Sequence, residues 1–181
     1  MVVDKGVVTT TGISASIPMM LTLIEAIAGH DRAGEVAADL GLTAWGARHD
    51  SGAFRQTRPF ATAVLVNILA FWGHEQRGIA LSPGMDEVSL ALVADSWSRT
   101  YRSQALTFAG SPDAVVTRNG VRIVPDRIGT DMPAALPSFD IEGRPPAEAL
   151  DQALDSIADR CGTGTAYVVA MQLEYPRHAV R

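Results

Sequence analysis

The 181-residue sequence has a single cysteine, Cys161, so it can form neither an internal disulfide nor a cysteine-built zinc cluster. A lone thiol suits a reducing compartment, and the expected location is cytoplasmic. Aromatic residues are scarce at 6% and charged residues make up only 19%, while 47% are hydrophobic. That balance excludes an intrinsically disordered chain, and glycine without a period excludes collagen. Positive charge is in deficit: 15 Lys and Arg stand against 20 Asp and Glu, for a net charge of −5. Nucleic-acid binding rests largely on phosphate neutralisation, so no direct nucleic-acid contact is expected. Long hydrophobic runs are also missing. The longest, Phe60 to Gly73, has 14 residues and is interrupted by Thr62 and Asn67, against the roughly 20 that span a bilayer. The opening Met1 to Gly6 lacks the basic region and apolar core of a signal peptide. No membrane partner is therefore expected. A chain of this length buries roughly 70% of its unfolded surface and folds without a metal; no cofactor and no metal site is expected.

What is present reads as alternating strands and helices. Val7-Val8-Thr9-Thr10-Thr11 is β-branched and stops at Gly12, which predicts a buried strand with nothing before it. Ser14 or Ser16 can cap the helix that follows, with Pro18 in its first turn. A second helix, capped by Asp31, places Ala33, Val36, Ala37 and Leu40 on one face and ends at Gly41. Residues 42–58 read as a loop anchored by Trp45 and Phe54, and Phe60 to His74 as a helix, with His74-Glu75 at its solvated end. Asp86 caps an amphipathic helix whose apolar face holds Leu90, Val93, Ala94, Trp97 and Tyr101. A strand over Gln104–Ala109 and a hairpin over residues 114–124 follow; the Asn119-Gly120 pair predicts a type I′ turn. Residues 125–146 carry five prolines and read as an irregular connector. A helix over Ala147–Arg160, a break at 161–164 and a last helix or strand over Thr165–Glu174 complete the chain.

The segment Val8-Thr9-Thr10-Thr11-Gly12-Ile13-Ser14-Ala15-Ser16, followed by Leu21-Thr22-Leu23-Ile24-Glu25-Ala26-Ile27-Ala28-Gly29 and then by Ala33 to Leu40, resembles the closing strand–helix–helix of the ThiJ/PfpI family. That family belongs to the class I glutamine-amidotransferase-like superfamily. Residues 86–126 resemble the opening of the same domain: first helix, second strand, hairpin, and then Pro125-Asp126. The order is therefore end before beginning. The resemblance implies a flavodoxin-like α/β fold with an open, mostly parallel sheet, here incomplete and supplemented by the hairpin and C-terminal helices. It divides the chain into residues 1–58, the closing part, and residues 59–181, an extension that partly resembles the opening. The family's chemistry needs a nucleophilic cysteine on a strand-to-helix elbow and a following histidine. Read this way, the chain starts downstream of that elbow, so no residue takes over either role and the catalytic residues are unassigned.

Four other features are weighed for chemistry. Cys161 ahead of Gly162-Thr163-Gly164 has the setting of a helix-activated thiol, but no base among His30, His49, His74 and His178 is placed beside it, so an inert packed thiol is the favoured reading. His49-Asp50-Ser51 has the letters of a triad, whose members meet through the fold and not along the chain. Gly162-x-Gly164 is too short for a dinucleotide fingerprint. The junction of Thr10, Thr11, Gly12, Ser14 and Ser16 joins a strand end to a helix N-terminus, where free N–H groups and hydroxyls attract anions; plain helix capping is the competing account.

The function expected from these readings is a non-catalytic ligand-sensing or assembly module that binds a small anion. It is expected to associate as a homodimer or hetero-complex, because a buried first strand needs neighbours on both sides. Two alternatives are an amidase, deglycase or protease of this kind whose nucleophile lies in an upstream segment or partner chain, and the sensor part of an AraC-type regulator.

Overall fold

The computed structural model describes residues 2–4, 7–9, 13–42, 58–129 and 144–175. It is a mixed α/β structure. The α/β class, the open parallel sheet, the added hairpin and the C-terminal helices expected from the sequence are all present.

The chain opens with two short strands, β1 (Val2–Asp4) and β2 (Val7–Thr9), paired antiparallel with Val3 opposite Val8. This corrects the expectation of a strand with nothing before it. Val2-Val3 is as β-branched as Val7-Val8, and two intervening residues are enough for antiparallel pairing, whereas parallel pairing needs a long crossover. These strands form their own two-stranded sheet. Helix α1 (Ile13–Ala28) then begins earlier than expected, so Pro18 lies beyond the first turn and leaves the Ser14 carbonyl without its i+4 donor. Helix α2 (His30–Asp39) starts at Gly29 with no side-chain cap; Asp31 sits inside the first turn, where it complements the helix dipole. It ends as expected at Gly41, whose φ of +78° allows Leu42 N–H to reach Ala37 O and Gly41 N–H to reach Ala38 O. A Cβ at Gly41 would come within 2.6 Å of Pro145 Cβ, so glycine here also permits close docking on a later segment. Ala147 N–H donates to Leu40 O at the same place.

Helix α3 (Arg58–Leu69) is shorter than the expected Phe60–His74 helix and is followed by a 3₁₀ turn at Phe71–Gly73. Strand β3 (Glu75–Ala80) follows, so Glu75 opens a strand where the sequence predicts a solvated helix end. Helix α4 (Glu87–Ser98) connects it to strand β4 (Ser103–Ala109), parallel to β3 from the Glu75/Ser103 pair to the Ala80/Phe108 pair. The Asp86 cap is present: its carboxylate accepts the Ser89 N–H at 2.6 Å. Removing it in Asp86→Ala is expected to cost about 1 kcal/mol, read as a 2–4 °C lower melting temperature (roughly 2–4 °C per kcal/mol for a chain of this size). An unchanged melting temperature would show the cap to be idle.

Tyr101 does not extend the apolar face of α4. The helix stops at Ser98, and Tyr101 has a φ of +59° and is 39% exposed. The hairpin pairs strands β5 (Val115–Val116) and β6 (Arg122–Ile123), but its turn is not type I′. Thr117 and Val121 face each other around three residues, and only Gly120 has a positive φ, +84°. That is a three-residue loop with glycine in the left-handed position. Strand β7 (Arg127–Ile128), inside the expected connector, adds to β4 in parallel and gives the sheet order β3-β4-β7. Asp126 holds it there: its carboxylate accepts the Thr107 N–H at 2.7 Å and the Thr107 hydroxyl at 2.8 Å.

Helix α5 (Pro146–Cys161) and helix α6 (Thr163–Leu173) close the structure. Only Gly162, with φ +88°, separates them. The core lies where α4, α5 and α6 meet, built from Leu90, Val93, Trp97, Leu154, Ile157 and Val169, all buried. Helix α3 packs against α6.

Candidate functional site

A cavity of about 650 Å³ opens where α3, the segment before β4 and the α5–α6 junction come together. Among the described lining residues the charged groups are both cationic, Arg58 at the start of α3 and Arg102 just before β4, and none is a carboxylate. Arg58 and Arg102 make no side-chain hydrogen bond or ion pair among the described residues, and Arg102 Nε is sealed from solvent without an acceptor. A buried N–H without an acceptor costs free energy unless something satisfies it.

The polar floor is organised by Asn67. It is the one fully buried residue of α3, while Leu65, Ile68 and Leu69 beside it are exposed. Its Nδ2 donates to the Thr100 carbonyl at 3.0 Å. The Thr165 hydroxyl lies 3.2 Å from Asn67 Oδ1 and 2.9 Å from the Cys161 carbonyl. These bonds lock α3 to the first turn of α6. That turn has no side-chain cap, since the residue before it is Gly162. Thr165 and Ala166 N–H bond back to Gly162 O, so the donors left over are those of Thr163 and Gly164, and Gly164 lines the cavity. An uncapped helix start presents partial positive charge and unsatisfied N–H groups. The two guanidiniums and this helix start form a cation-rich recess in a chain of net charge −5.

Cys161 also faces the recess. Burial pushes its thiol up from the ordinary value, outweighing the lowering effect of Arg102. It is protonated at neutral pH and is a weak nucleophile, in keeping with the packed-thiol reading of the sequence.

Of the expected anion site, Thr10, Thr11 and Gly12 lie outside the described residues. Ser14 and Ser16 fall in the first turn of α1 rather than before it. His49, Asp50 and Ser51 also lie outside the described residues. His74 Nε2 lies 3.2 Å from the Asn67 carbonyl, a structural contact. Sequence reasoning missed Arg58, Asn67, Arg102 and Thr165. The one local signal was Asn67, a polar residue interrupting the longest apolar run.

No family model and no curated protein matches this sequence. A solved structure of oxidised DJ-1 from Toxoplasma gondii is similar over 56% of this chain and 98% of its own length, at 12% identity and a TM-score of 0.44. No described helix is long and apolar enough to cross a membrane.

Proposed function

We propose that this chain is a ThiJ/PfpI-like binding module that holds a small anion without turning it over. The observation that carries this reading is the recess that Arg58 and Arg102 share with the uncapped start of α6, where neither arginine has a side-chain partner and no carboxylate lines the wall among the described residues. The family part rests on the sequence pattern at residues 7–41 and 86–126. The succession α4, β4, hairpin, Pro125-Asp126 and β7 supports it, with β4 and β7 in one parallel sheet and the hairpin as a sheet of its own. The raised thiol of Cys161 supports a binding role over a catalytic one.

Thermal shift with small carboxylates and phosphate tests the proposal. The anions should raise the melting temperature of the wild type, and Arg102→Met should remove most of that shift. A hydrogen bond to a charged ligand is worth roughly 1.5–3 kcal/mol, a tenfold to hundredfold weakening. Arg58→Met, on an exposed side chain, should weaken the response without lowering basal stability. Thr11→Val combined with Ser14→Ala should leave the shift intact. If that pair abolishes the shift and Arg102→Met does not, the ligand sits at the strand-to-helix junction of residues 10–16. If no anion stabilises the wild type, the proposal fails.

Self-association is part of the same proposal. Leu65 and Leu69 of α3 and Trp72 after it are exposed, an apolar surface suited to a second copy. Light scattering at micromolar concentration should give at least twice the mass of one chain; a single-chain mass would overturn this part.

A further inference from the structure

We infer that the recess takes an organic acid with an apolar body rather than a bare inorganic anion. The inference rests on the proposed anion-binding role and adds the ligand's class. Three observations point to it. The cavity volume, about 650 Å³, falls in the range of sites for small organic molecules, roughly 300–1,000 Å³, and far exceeds an inorganic ion. Its polar groups and one of its two cations are gathered at one end: Asn67, bonded to both Thr100 and Thr165, fixes Arg102, Cys161 and the start of α6 close together, while Arg58 stands at the far end of the α3 wall. The wall leading away from that end is the face of α3 carrying Val66, Ala63, Thr62 and Pro59, three of them apolar. From Asn67 back to Arg58 the helix advances nine residues, about 13 Å at ~1.5 Å per residue. Val66 is 58% exposed although it lines the cavity, so apolar surface there stands open to a ligand. A carboxylate at the Arg102 end would leave an alkyl or aryl body lying along Ala63 and Val66.

Calorimetry on the whole chain with acetate, phosphate, octanoate and neutral octanamide tests this class. Octanoate is expected to bind at least about tenfold more tightly than acetate, since even partial burial of its extra methylenes, at about 0.8 kcal/mol each when fully buried, suffices. Octanamide should bind at least about tenfold more weakly than octanoate, from loss of the charged hydrogen bonds. Val66→Ser should weaken octanoate several-fold and leave acetate unchanged. Cys161, the single thiol, locates the ligand: octanoate should slow its alkylation by iodoacetamide at pH 9, and acetate at equal concentration should not. If acetate or phosphate binds as tightly as octanoate, the organic-acid class is wrong while anion binding stands. If octanamide matches octanoate, the cavity reads apolar bulk alone and both readings fall. If octanoate binds without protecting Cys161, the ligand lies elsewhere and the inference is overturned.

Discussion

Replacing Trp97 by alanine should destabilise the protein by about 3–5 kcal/mol, the range for deleting a large buried aromatic. Trp97 is 1% exposed and stands on the face of α4 that closes the core with Leu154 and Ile157 of α5. Its ring also lies under Arg77, whose guanidinium carbon is 5.1 Å from the ring centroid, so truncation strips a nearly buried cation of its aromatic neighbour. For a chain of this length the loss corresponds to a melting temperature lower by roughly 6–20 °C. Trp97→Phe tests the reason. It keeps a ring beside Arg77 and removes an indole N–H that has no acceptor. Its expected cost is about 1.5 kcal/mol or less, as for near-conservative core swaps. As a control, Ile27→Ala on α1, where Ile27 is 78% exposed, should stay within about 0.5 kcal/mol of the wild type. Equal losses for Trp97→Ala and Trp97→Phe would show that a ring at this position does not carry the energy and would refute the packing account.

The second large effect belongs to Glu75. Its carboxylate takes two hydrogen bonds from Arg160, at 2.9 and 2.8 Å, and lies 2.9 Å from Nε of Arg77, which is only 4% exposed. The Arg77 approach is an ion pair off the N–H axis, since Nε–H itself has no aligned acceptor. Glu75→Leu removes the carboxylate and leaves Arg77 as a buried cation without its counter-charge. Breaking such a pair costs about 3–5 kcal/mol when fully buried. With Glu75 about a quarter exposed, the lower end, about 3 kcal/mol, is expected. Adding Arg77→Met to Glu75→Leu should recover much of the loss, because no lone charge then remains. A double variant as unstable as the single would show that shape, and not charge, is what matters at β3.

The same carboxyl predicts the direction of the acid response. The Arg160 hydrogen bonds, then the charges of Arg77 and Arg160, hold it below its ordinary 4.5 against the opposing effect of burial. The unfolded chain therefore takes up this proton more readily than the folded one. The stability it contributes is complete above about pH 4.5 and is lost as pH falls through the lower folded value. Glu75→Gln should flatten this part of the stability profile below pH 4.5; an unaltered acid slope would mean that other carboxyls account for it.

Local rules carried the reading of the sequence a long way where a signal was contained within one element. Asp86 followed by Leu90, Val93 and Trp97 announces α4, because a cap and a 3.6-residue apolar period need no partner to be recognised. Gly41 and Gly120 mark a helix end and a hairpin for the same reason: each has the positive φ those sites require. The type of turn at Asn119-Gly120 escaped because it depends on which residues across the two strands pair, and that register is set by the sheet. Strand β3 escaped because Glu75-Gln76-Arg77-Gly78 shows no strand alternation. It is a strand because β4 pairs with it in parallel and Arg77 finds burial beside Trp97 and Glu75.

The recess lay further out of reach. Arg58, Asn67, Arg102 and Thr165 span more than half the chain, and none stands in a recognisable motif. By itself the sequence determined the α/β class, most helix ends and the hairpin, since these follow from backbone preferences and short-range hydrophobic period. Only the tertiary structure decided that Thr100 and Thr165 satisfy the amide of Asn67 and that α3 is locked there to the start of α6. It also left Arg102 near that start, and Arg58 at the start of α3, without a carboxylate among the described residues. Which charges end up unpaired depends on contacts between residues distant along the chain, and that is a property of packing, not of any segment.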